Sequence, residues 1–322
     1  MQRIQECLRE QGEWRGATVE AMAGDASTRR FYRAHRSGEP ETAVLMVYEP
    51  EESDAAITIF LETAAFFRSA SIRVPEIYFT DRAHGMVLLE DLGRETMQDA
   101  LRRDPSAREL YEQALRWLGC LWNTWPSSGP VACRRLDQEL FAHELEHMLR
   151  WLVGAHLQLR FPDRERAIII DSLRRLASEL SAQPLVACHR DYHSRNIVCG
   201  TKGLGLVDFQ DARLGPYTYD LASLAYDAYV DPGVVIRQWL EACLPSRPLR
   251  HRERDLAVAV LQRSLKAAGT FAFQAASRGR PAYLASLPPV LAYADHAAKR
   301  LGAFPVLETL IQRCREALAC TG

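Results

Sequence analysis

Hydrophobic and polar residues follow two different patterns in the two parts of the chain. In the first ninety residues most apolar runs are short and bounded by turn residues, which is typical of strands. The predicted strands cover residues 30–34, 43–48, 76–79 and 86–89, with a turn at 36–40. Between them, residues 54–69 have apolar side chains on one face at helical spacing, and Pro75 is expected to stop this helix. The apolar positions of that face are Ile57, Phe60, Leu61, Ala64 and Phe67.

After Leu92 the pattern becomes mostly helical, from 104 to 182 and again from 219 to the end, with breaks expected at Pro232, Pro245, Pro281 and Pro305. Between these stretches, apolar segments 197–199 and 204–207 flank a turn at 201–203 and predict a hairpin. Strands first and helices second indicate an α+β fold with two lobes. We predict a small antiparallel-sheet N-lobe with its hinge over 1–92 and a large, mainly helical C-lobe over 93–322.

One segment beside the predicted hairpin carries candidate chemistry. It reads His189-Arg190-Asp191-Tyr192-His193-Ser194-Arg195-Asn196, and Asp208-Phe209-Gln210 follows the hairpin. In a kinase-type phosphotransfer site, one carboxylate receives the attacking hydroxyl, and an amide oxygen and a second carboxylate hold Mg²⁺ on the ATP phosphates. The order and spacing of Asp191, Asn196 and Asp208 match these roles. We therefore predict that Asp191 is catalytic and that Asn196 and Asp208 bind the metal.

The nucleotide should lie against the N-lobe. Gly24, Asp25, Ala26, Ser27 and Thr28 form a small-residue loop before the first predicted strand pair, where backbone N–H groups can approach phosphate oxygens. The apolar strand that begins at Met86 runs into a polar joint, and backbone groups of Glu90 and Leu92 are the candidates to bind the adenine edge. An ordinary turn and an ordinary core strand are the alternatives for these two segments.

A lysine is missing where a kinase would have one. The third kinase strand normally carries a lysine that contacts the α- and β-phosphates, yet the first lysine of this chain is Lys202. Residues 44–47 are all apolar. Either an arginine replaces the lysine, with Arg30 and Arg33 as candidates, or metal and backbone groups are sufficient; both arginines can equally be surface residues.

The bulk properties exclude several classes of protein. The net charge of −1 is typical neither of a nucleic-acid-binding protein nor of an acidic tail. Eight cysteines without CxxC pairs suit reduced thiols in the cytoplasm better than a disulfide framework or zinc site. The charged N-terminus lacks the apolar core of a signal peptide, and no run approaches 18 apolar residues. We expect a cytoplasmic monomer that binds neither nucleic acid nor membrane.

Four motifs resemble the aminoglycoside phosphotransferase/choline kinase superfamily, and more narrowly its bacterial anomeric N-acetylmuramate/N-acetylglucosamine kinases. They are Gly24-Asp25-Ala26-Ser27-x-Arg29-Arg30, the segment from Leu88 to Gly93, the segment from His189 to Asn196, and the segment from Asp208 to Leu221. Gln262-Arg263-x-Leu265-Lys266 fits the same group. The resemblance covers about residues 20–300. It implies a protein-kinase-like fold and Mg²⁺- and ATP-dependent phosphorylation of an amino sugar at its anomeric hydroxyl, in cell-wall recycling.

The resemblance and the motif positions assign roles to the neighbouring residues. His189, Arg190 and Asp220 are expected to support the catalytic loop, with Asp220 anchoring its backbone from a helix start. His193, Gln210, Asp211 and Arg213 are candidates to bind the sugar, since their side chains can hydrogen-bond hydroxyl or acetamido groups; support of the site is the equally good alternative. Tyr192 could stack on the sugar or pack under the loop. At Tyr226 the family pattern would have a basic residue, so a contact of Tyr226 with the sugar would change substrate preference.

Other functions remain to be weighed. Residues 236–322 contain thirteen Arg and Lys against six Asp and Glu, a net charge of 13 − 6 = +7, which disfavours a polycationic aminoglycoside and tolerates an anionic sugar. A nucleotide-binding pseudokinase should lack Asp191, Asn196 or Asp208, and all three are present. Choline or homoserine kinase activity stays possible because the core motifs are shared. The sequence decides neither the sugar, nor the anomer, nor the choice between ATP and GTP.

Overall fold

The computed structural model describes residues 2–9, 12–22, 29–36, 38, 41–49, 53–105, 107–243 and 251–321. The chain forms two compact units. The first contains Met1–Thr96 and Ile197–Gln210, and the second contains Met97–Asn196 and Asp211–Gly322. The chain therefore returns to the first unit for one short segment in its middle. The assignment of nucleotide binding to 1–92 and of the acceptor site to 93–322 stays a prediction.

The first unit is built on a five-stranded antiparallel sheet with the strand order β1-β2-β3-β5-β4. Its strands are β1 (Thr18–Ala21), β2 (Arg30–His35), β3 (Thr42–Val47), β4 (Ile77–Asp81) and β5 (Met86–Glu90). Its helices are α1 (Gln2–Arg9) and α2 (Ser53–Ser69), with a 3₁₀ turn at Gly12–Trp14. The four predicted strands and the predicted helix are confirmed, with ends that differ by a few residues.

The helix α2 buries the predicted apolar face: Ile57, Phe60, Ala64 and Phe67 are all nearly inaccessible to solvent. It ends at Ser69, well before Pro75, and Ser71 adopts a left-handed conformation with φ 60°. The expectation that Pro75 stops the helix was therefore wrong. The turn at Ser71 ends the helix first, because a left-handed residue cannot continue a right-handed helix.

Two elements at the N-terminus were not predicted, namely α1 and β1. The helix α1 has eight residues and only Ile4, Cys7 and Leu8 as buried apolar positions, too few for a periodic pattern to stand out. These residues complete a core with Leu45 of β3 and Leu88 of β5. Because side chains alternate along a strand, Met46 lies on the opposite face of the sheet from Leu45.

The returning segment forms a hairpin of β7 (Ile197–Gly200) and β8 (Gly203–Leu206), as predicted. It pairs with the chain that leaves β5, since Cys199 N–H donates to Glu95 O over 2.8 Å and Thr96 bridges to Val198. A side chain at Gly200 would approach Leu92 O to 2.4 Å, so only glycine permits this pairing. This tertiary contact explains why the hairpin belongs to the first unit.

The second unit is mainly helical. Its helices are α3 (Met97–Arg103), α4 (Arg108–Asn123), α5 (Gly129–Cys133), α6 (Gln138–Met148), α7 (Asp163–Ser181), α8 (Tyr219–Ala225), α9 (Gly233–Ala242), α10 (Arg252–Arg278), α11 (Leu287–Leu301) and α12 (Pro305–Thr321), with a π-helix at Leu149–His156 and 3₁₀ turns at Ser194–Asn196 and Pro281–Ser286. Pro232, Pro281 and Pro305 lie at helix starts, where their missing N–H costs nothing, and so mark the predicted breaks. Pro245 lies outside the described residues.

One small sheet in the second unit was not predicted. It pairs β6 (Leu185–Cys188) with β9 (Arg213–Pro216) in antiparallel fashion. The sequence distance between these four-residue strands hides their pairing, since neither has a neighbour to form a hairpin with. The strand β6 leads directly into the segment 189–196, so this sheet fixes where that segment begins.

Candidate active site

The segment from His189 to Asn196 is a loop whose start is held by one buried carboxylate. Asp220, at the start of α8, accepts hydrogen bonds from the backbone N–H groups of His189 over 2.5 Å and Arg190 over 3.0 Å. Arg190 adopts a left-handed conformation with φ 82°, which is strained for a residue with a side chain. The two bonds offset that strain, and they are what the predicted anchoring role of Asp220 requires.

Asp191 lies against a cation from another helix. The Lys266 ammonium group on α10 is 3.0 Å from Asp191 Oδ1, and the Asp191 side chain is 36% exposed. Burial by itself would raise the pKa of Asp191, but the positive charges of Lys266, Arg263 and Arg190 outweigh it and hold the pKa well below its usual range. Asp191 is therefore an ionised carboxylate at neutral pH, able to accept a hydrogen bond from a hydroxyl group.

A second carboxylate stabilises the residues around Asp191. Glu144 on α6 is buried and accepts hydrogen bonds from Arg190 over 2.9 Å and from Gln262 over 2.9 Å. Arg263 donates to the carbonyl of Arg190 over 2.6 Å. Three residues of one face of α10, Gln262, Arg263 and Lys266, thus fix the loop through its side chains and its backbone.

The end of the loop is fixed by two further contacts. Asn196 Nδ2 donates to the carbonyl of Asp191 over 2.9 Å, which turns its amide oxygen away from that carbonyl. Buried Asp227 accepts a hydrogen bond from Ser194 N–H over 2.8 Å. Asn196 immediately precedes β7 and Asp208 follows β8, and Ile197 pairs with Leu206. In the chain, one candidate metal ligand therefore precedes the hairpin and the other follows it.

In the first unit, two hydrogen bonds and the packing of the next residue, Phe209, hold Asp208 in position. Its φ is 61°, and its Oδ1 accepts hydrogen bonds from Arg29 Nη2 and Gln210 Nε2, each over 2.9 Å. Phe209 is buried against α2, with ring centroids 5.0 Å from Phe60 and 5.7 Å from Phe67. The apolar face of α2 thus sets the position of Asp208.

The candidate metal ligands suit Mg²⁺ better than a metal ion whose ligands all come from protein side chains. Within the described residues, no three His, Cys, Asp or Glu side chains are grouped to hold a metal ion. Mg²⁺ commonly takes one or two carboxylates, with phosphate oxygens and water as its other ligands. Asp208 offers one half-exposed carboxylate, of which the described bonds use Oδ1, and Asn196 offers an amide oxygen. Each of these groups, taken by itself, is of a type that Mg²⁺ accepts when phosphate oxygens and water supply its other ligands.

The residues predicted to bind the nucleotide lie in different surroundings. Gly24, Asp25, Ala26, Ser27 and Thr28 lie outside the described residues. Arg30 is mostly exposed, 3.3 Å from Glu49, whereas buried Arg33 forms an ion pair with Asp91 at 2.5 Å. These partners give Arg33 a structural role; binding of phosphate by either arginine stays a prediction.

Some groups of the predicted hinge residues already have partners within the first unit. Glu90 N–H donates to Glu76 O over 2.8 Å, and the buried Glu90 carboxylate lies 2.7 Å from Arg73 and 3.3 Å from Lys202. Leu92 is buried, with its side chain against Gly205. An adenine contact through the Glu90 amide is therefore not available, and a contact through the carbonyl groups of Glu90 or Leu92 stays a prediction.

Three of the predicted acceptor residues lie in the second unit. Burial lowers the pKa of His193, and its Nδ1 has no hydrogen-bond partner among the described residues. Asp211 lies 3.6 Å from Arg190 and 3.8 Å from Arg134. Arg213 lies on β9. Gln210, the fourth, belongs to the first unit and binds Asp208. Their contacts with a sugar stay predictions.

Two tyrosines have clear structural surroundings. Tyr192 is fully buried and donates to Ala114 O over 2.8 Å, so of the two alternatives it packs under the loop. Tyr226 donates to Glu241 over 2.5 Å, and the Arg237 guanidinium lies 5.0 Å from its ring centroid. Where the family pattern would have a basic side chain, the second unit therefore has a tyrosine covered by an arginine from α9.

Sequence reasoning gave no role to Arg29, Glu144, Arg263 or Lys266. A signal existed for the pair on α10: Arg263 and Lys266 are three residues apart, hence on one helix face, and Lys266 is one of only three lysines. Arg29 precedes a strand in a run of two arginines, and nothing local distinguishes it from Arg30. Glu144 gave no signal, because its partners are distant in sequence.

The comparisons with known proteins agree with this geometry. Residues 18–256 match the model of the phosphotransferase enzyme family, and the chain belongs to this family. Two relatives are named N-acetylmuramate/N-acetylglucosamine kinase. The one from Pseudomonas putida KT2440 is 32% identical over 90% of this chain and 86% of its own length. The one from Pseudomonas aeruginosa PAO1 is 33% identical with the same coverage.

Solved structures of the same fold are much more distant in sequence. Aminoglycoside phosphotransferase APH(2'')-Ib, bound to ADP, superimposes with a TM-score of 0.62 at 14% identity, over 92% of this chain and 98% of its own. Choline kinase LicA from Streptococcus pneumoniae gives a TM-score of 0.61 at 13% identity, over 91% and 99%. The predicted protein-kinase-like α+β fold is confirmed. The chain is a phosphotransferase, and no described helix is long and apolar enough to span a membrane.

Proposed function

We propose that this chain transfers the γ-phosphoryl group of ATP to the anomeric hydroxyl of an amino sugar, N-acetylmuramate or N-acetylglucosamine, in peptidoglycan recycling. The observation that carries the proposal is the Asp191 site, where a loop carboxylate is kept ionised by Lys266 and Arg263. The naming of relatives about one-third identical over most of the chain supports the same acceptor.

In this proposal the chemistry depends mainly on position and charge. Phosphoryl transfer needs an aligned nucleophile and neutralised phosphates more than a strong base. Asp191 accepts the hydrogen bond of the attacking hydroxyl and aligns it. An anomeric hydroxyl is more acidic than an ordinary alcohol, so a carboxylate with a lowered pKa is adequate. Asn196 and Asp208 would hold Mg²⁺, which supplies positive charge on the phosphates.

The charge balance of the C-terminal part of the chain supports an acceptor that is neutral or anionic. Residues 236–322 have a net charge of +7, which disfavours a polycationic aminoglycoside more than a sugar that bears a lactyl carboxylate. We propose that the protein acts as a monomer in the cytoplasm, where ATP is available and its eight free thiols stay reduced.

The test is ³¹P NMR of the products after incubation with Mg-ATP and, separately, N-acetylmuramate, N-acetylglucosamine, kanamycin and choline. A phosphate resonance coupled to the C1 proton of a sugar is expected, and the initial rates would rank the two sugars. Phosphate on kanamycin or choline alone would contradict the proposed acceptor. An Asp191→Asn variant is the matched control, since it should remove any product formed by this site.

A further inference from the structure

We infer that Arg29 takes the place of the missing third-strand lysine and binds the nucleotide phosphates. This inference rests on the proposed function, because it assigns a residue to the nucleotide side of the same site. It starts from a simple requirement: a kinase-type site needs a cationic side chain on the α- and β-phosphates, which the third-strand lysine normally supplies. In the first unit the only lysine is Lys202, and its ammonium group lies 3.3 Å from buried Glu90.

The position of the Arg29 guanidinium is the first observation. Its Nη2 is 2.9 Å from Asp208 Oδ1, and the Arg29 side chain is only 13% exposed. Its Nη1 is 3.8 Å from the sulfur of Met46, on the third strand. Met46 lies within the four-residue stretch where a kinase lysine would be expected. The guanidinium therefore lies beside the side chain at position 46.

The geometry of β2 explains how Arg29 reaches that position. Phe31 is the register partner of Met46, and Arg29 lies two residues before Phe31, so both side chains leave the same face of the strand. The Arg29 guanidinium lies 5.6 Å from the centroid of the Phe31 ring. A cation from the start of β2 thus crosses to β3 and to Asp208, on the face opposite the α1 core.

Neighbouring arginines have other partners. Arg33 is paired with Asp91 in a buried ion pair, and Arg30 is 71% exposed beside Glu49. Arg29 also directly follows the small-residue loop 24–28, which was predicted to approach the phosphates. The planar guanidinium fork offers two parallel N–H donors, so it can bind two phosphate oxygens where lysine would offer a point charge.

Isothermal titration calorimetry with ADP and ATP tests this inference without reference to the acceptor. Arg29→Met is expected to weaken nucleotide binding by about 10- to 100-fold, the size of a lost charged hydrogen bond. Arg29→Lys should lose less, because the charge stays. Arg82→Met is the matched control: its Arg82–Asp54 ion pair lies on the surface of the same unit, and nucleotide affinity should stay within about twofold of wild type.

A second arm separates a direct contact from an effect through Asp208. In an Asp208→Asn background without Mg²⁺, Arg29→Met should still weaken ATP binding about tenfold, because the phosphate contact is lost. No loss in that background would show that Arg29 only neutralises Asp208 and would overturn the inference. A larger loss for Arg30→Met than for Arg29→Met would overturn it as well.

The controls on folding and on the proposed function are separate. Thermal unfolding of each variant must be close to that of wild type. If Arg29→Met does not fold, Arg29→Gln, which also removes the charge, takes its place. Nucleotide affinity unchanged from wild type in that variant would overturn the inference. Wild-type protein that binds no nucleotide would instead overturn the proposed function itself, and the inference with it.

Discussion

Two carboxylates of the candidate site each lie against a cation, but the two pairs are built differently. In the first unit, Asp208 pairs with an arginine that leaves the start of a strand. In the second unit, Asp191 pairs with a lysine on a long helix and has two arginines nearby. An arginine fork suits two oxygens of a polyphosphate, whereas a lysine is a compact charge that can hold one carboxylate oxygen and leave the other accessible. From this difference we propose that Asp208 belongs to the nucleotide side and Asp191 to the acceptor side.

A third ion pair, between Arg33 and Asp91, provides the structural comparison. Arg33 and Asp91 are 9% and 5% exposed, and Asp91 also accepts hydrogen bonds from Thr42 and from Gly93 N–H. Both oxygens of the Asp91 carboxylate therefore already accept hydrogen bonds within the first unit. Asp208 is 46% exposed and Asp91 only 5%, whereas the two arginines differ little, at 13% and 9%. The comparison teaches that exposure of the carboxylate, more than the presence of an ion pair, distinguishes a candidate binding site from a support.

Among the variants that test this comparison, Asp191→Asn should have the largest effect on turnover. Removal of the aligning carboxylate is expected to lower turnover by about 10²- to 10⁴-fold, the usual range for a group that accepts a proton in the reaction. Nucleotide affinity should change little, because Asp191 belongs to the acceptor side. Initial rates and calorimetric titration with ADP measure both. Full activity in this variant would remove the assigned role.

Asp208→Ala should weaken nucleotide binding, which Asp191→Asn should leave nearly unchanged. We expect binding of Mg-ATP to weaken by about 10- to 100-fold, since in the proposed site the metal loses the Asp208 carboxylate. The KM for the sugar, measured at saturating nucleotide, should be close to that of wild type. A change in sugar KM with unchanged nucleotide affinity would reverse the donor and acceptor assignment.

Lys266→Met tests the acceptor pair from its cationic side. Without the ammonium group Asp191 loses its partner at 3.0 Å, and we expect kcat to fall about tenfold while nucleotide affinity stays constant. Lys266→Arg is the conservative control and should recover part of kcat. A lysine with only a structural role would instead lower the unfolding temperature and leave kcat of the folded fraction unchanged.

Asp91→Asn should have the smallest effect on activity and a clear effect on stability. Loss of one partner of a buried ion pair is expected to lower the free energy of unfolding by about 3 kcal/mol at pH 7. Burial opposes ionisation of Asp91, but hydrogen bonds from Arg33, Gly93 and Thr42 outweigh it and lower its pKa. Urea unfolding from pH 8 to pH 3 measures the contribution.

The sign of this pH dependence follows from the lowered pKa. A carboxyl group with a depressed folded-state pKa contributes stability above its unfolded value of about 3.9, and that contribution is lost as the pH falls through the folded value. The difference between wild type and Asp91→Asn should therefore be constant from pH 8 to about pH 5 and shrink below about pH 4. A difference that grows on acidification would contradict this account of the Asp91 pair.

Local pattern determined much of this protein. Four of the five strands of the sheet, the apolar face of α2 and the hairpin after Asn196 follow from alternation and helical spacing within short windows. The motif around Asp191 gave the class of chemistry, because few reactions need Asp, Asn and Asp in that order. The missing lysine was also visible, since an absence of one residue type needs no fold.

Tertiary structure alone decided which carboxylate each cation contacts. Arg29, Arg30 and Arg33 are close in sequence and chemically identical, yet one lies on Asp208, one is exposed and one is buried on Asp91. Arg29 and Asp208 are separated by 179 positions in the sequence, and Asp191 and Lys266 are separated by 75. Periodicity in a short window cannot report such contacts, because the partner of a charge is set by how distant elements pack.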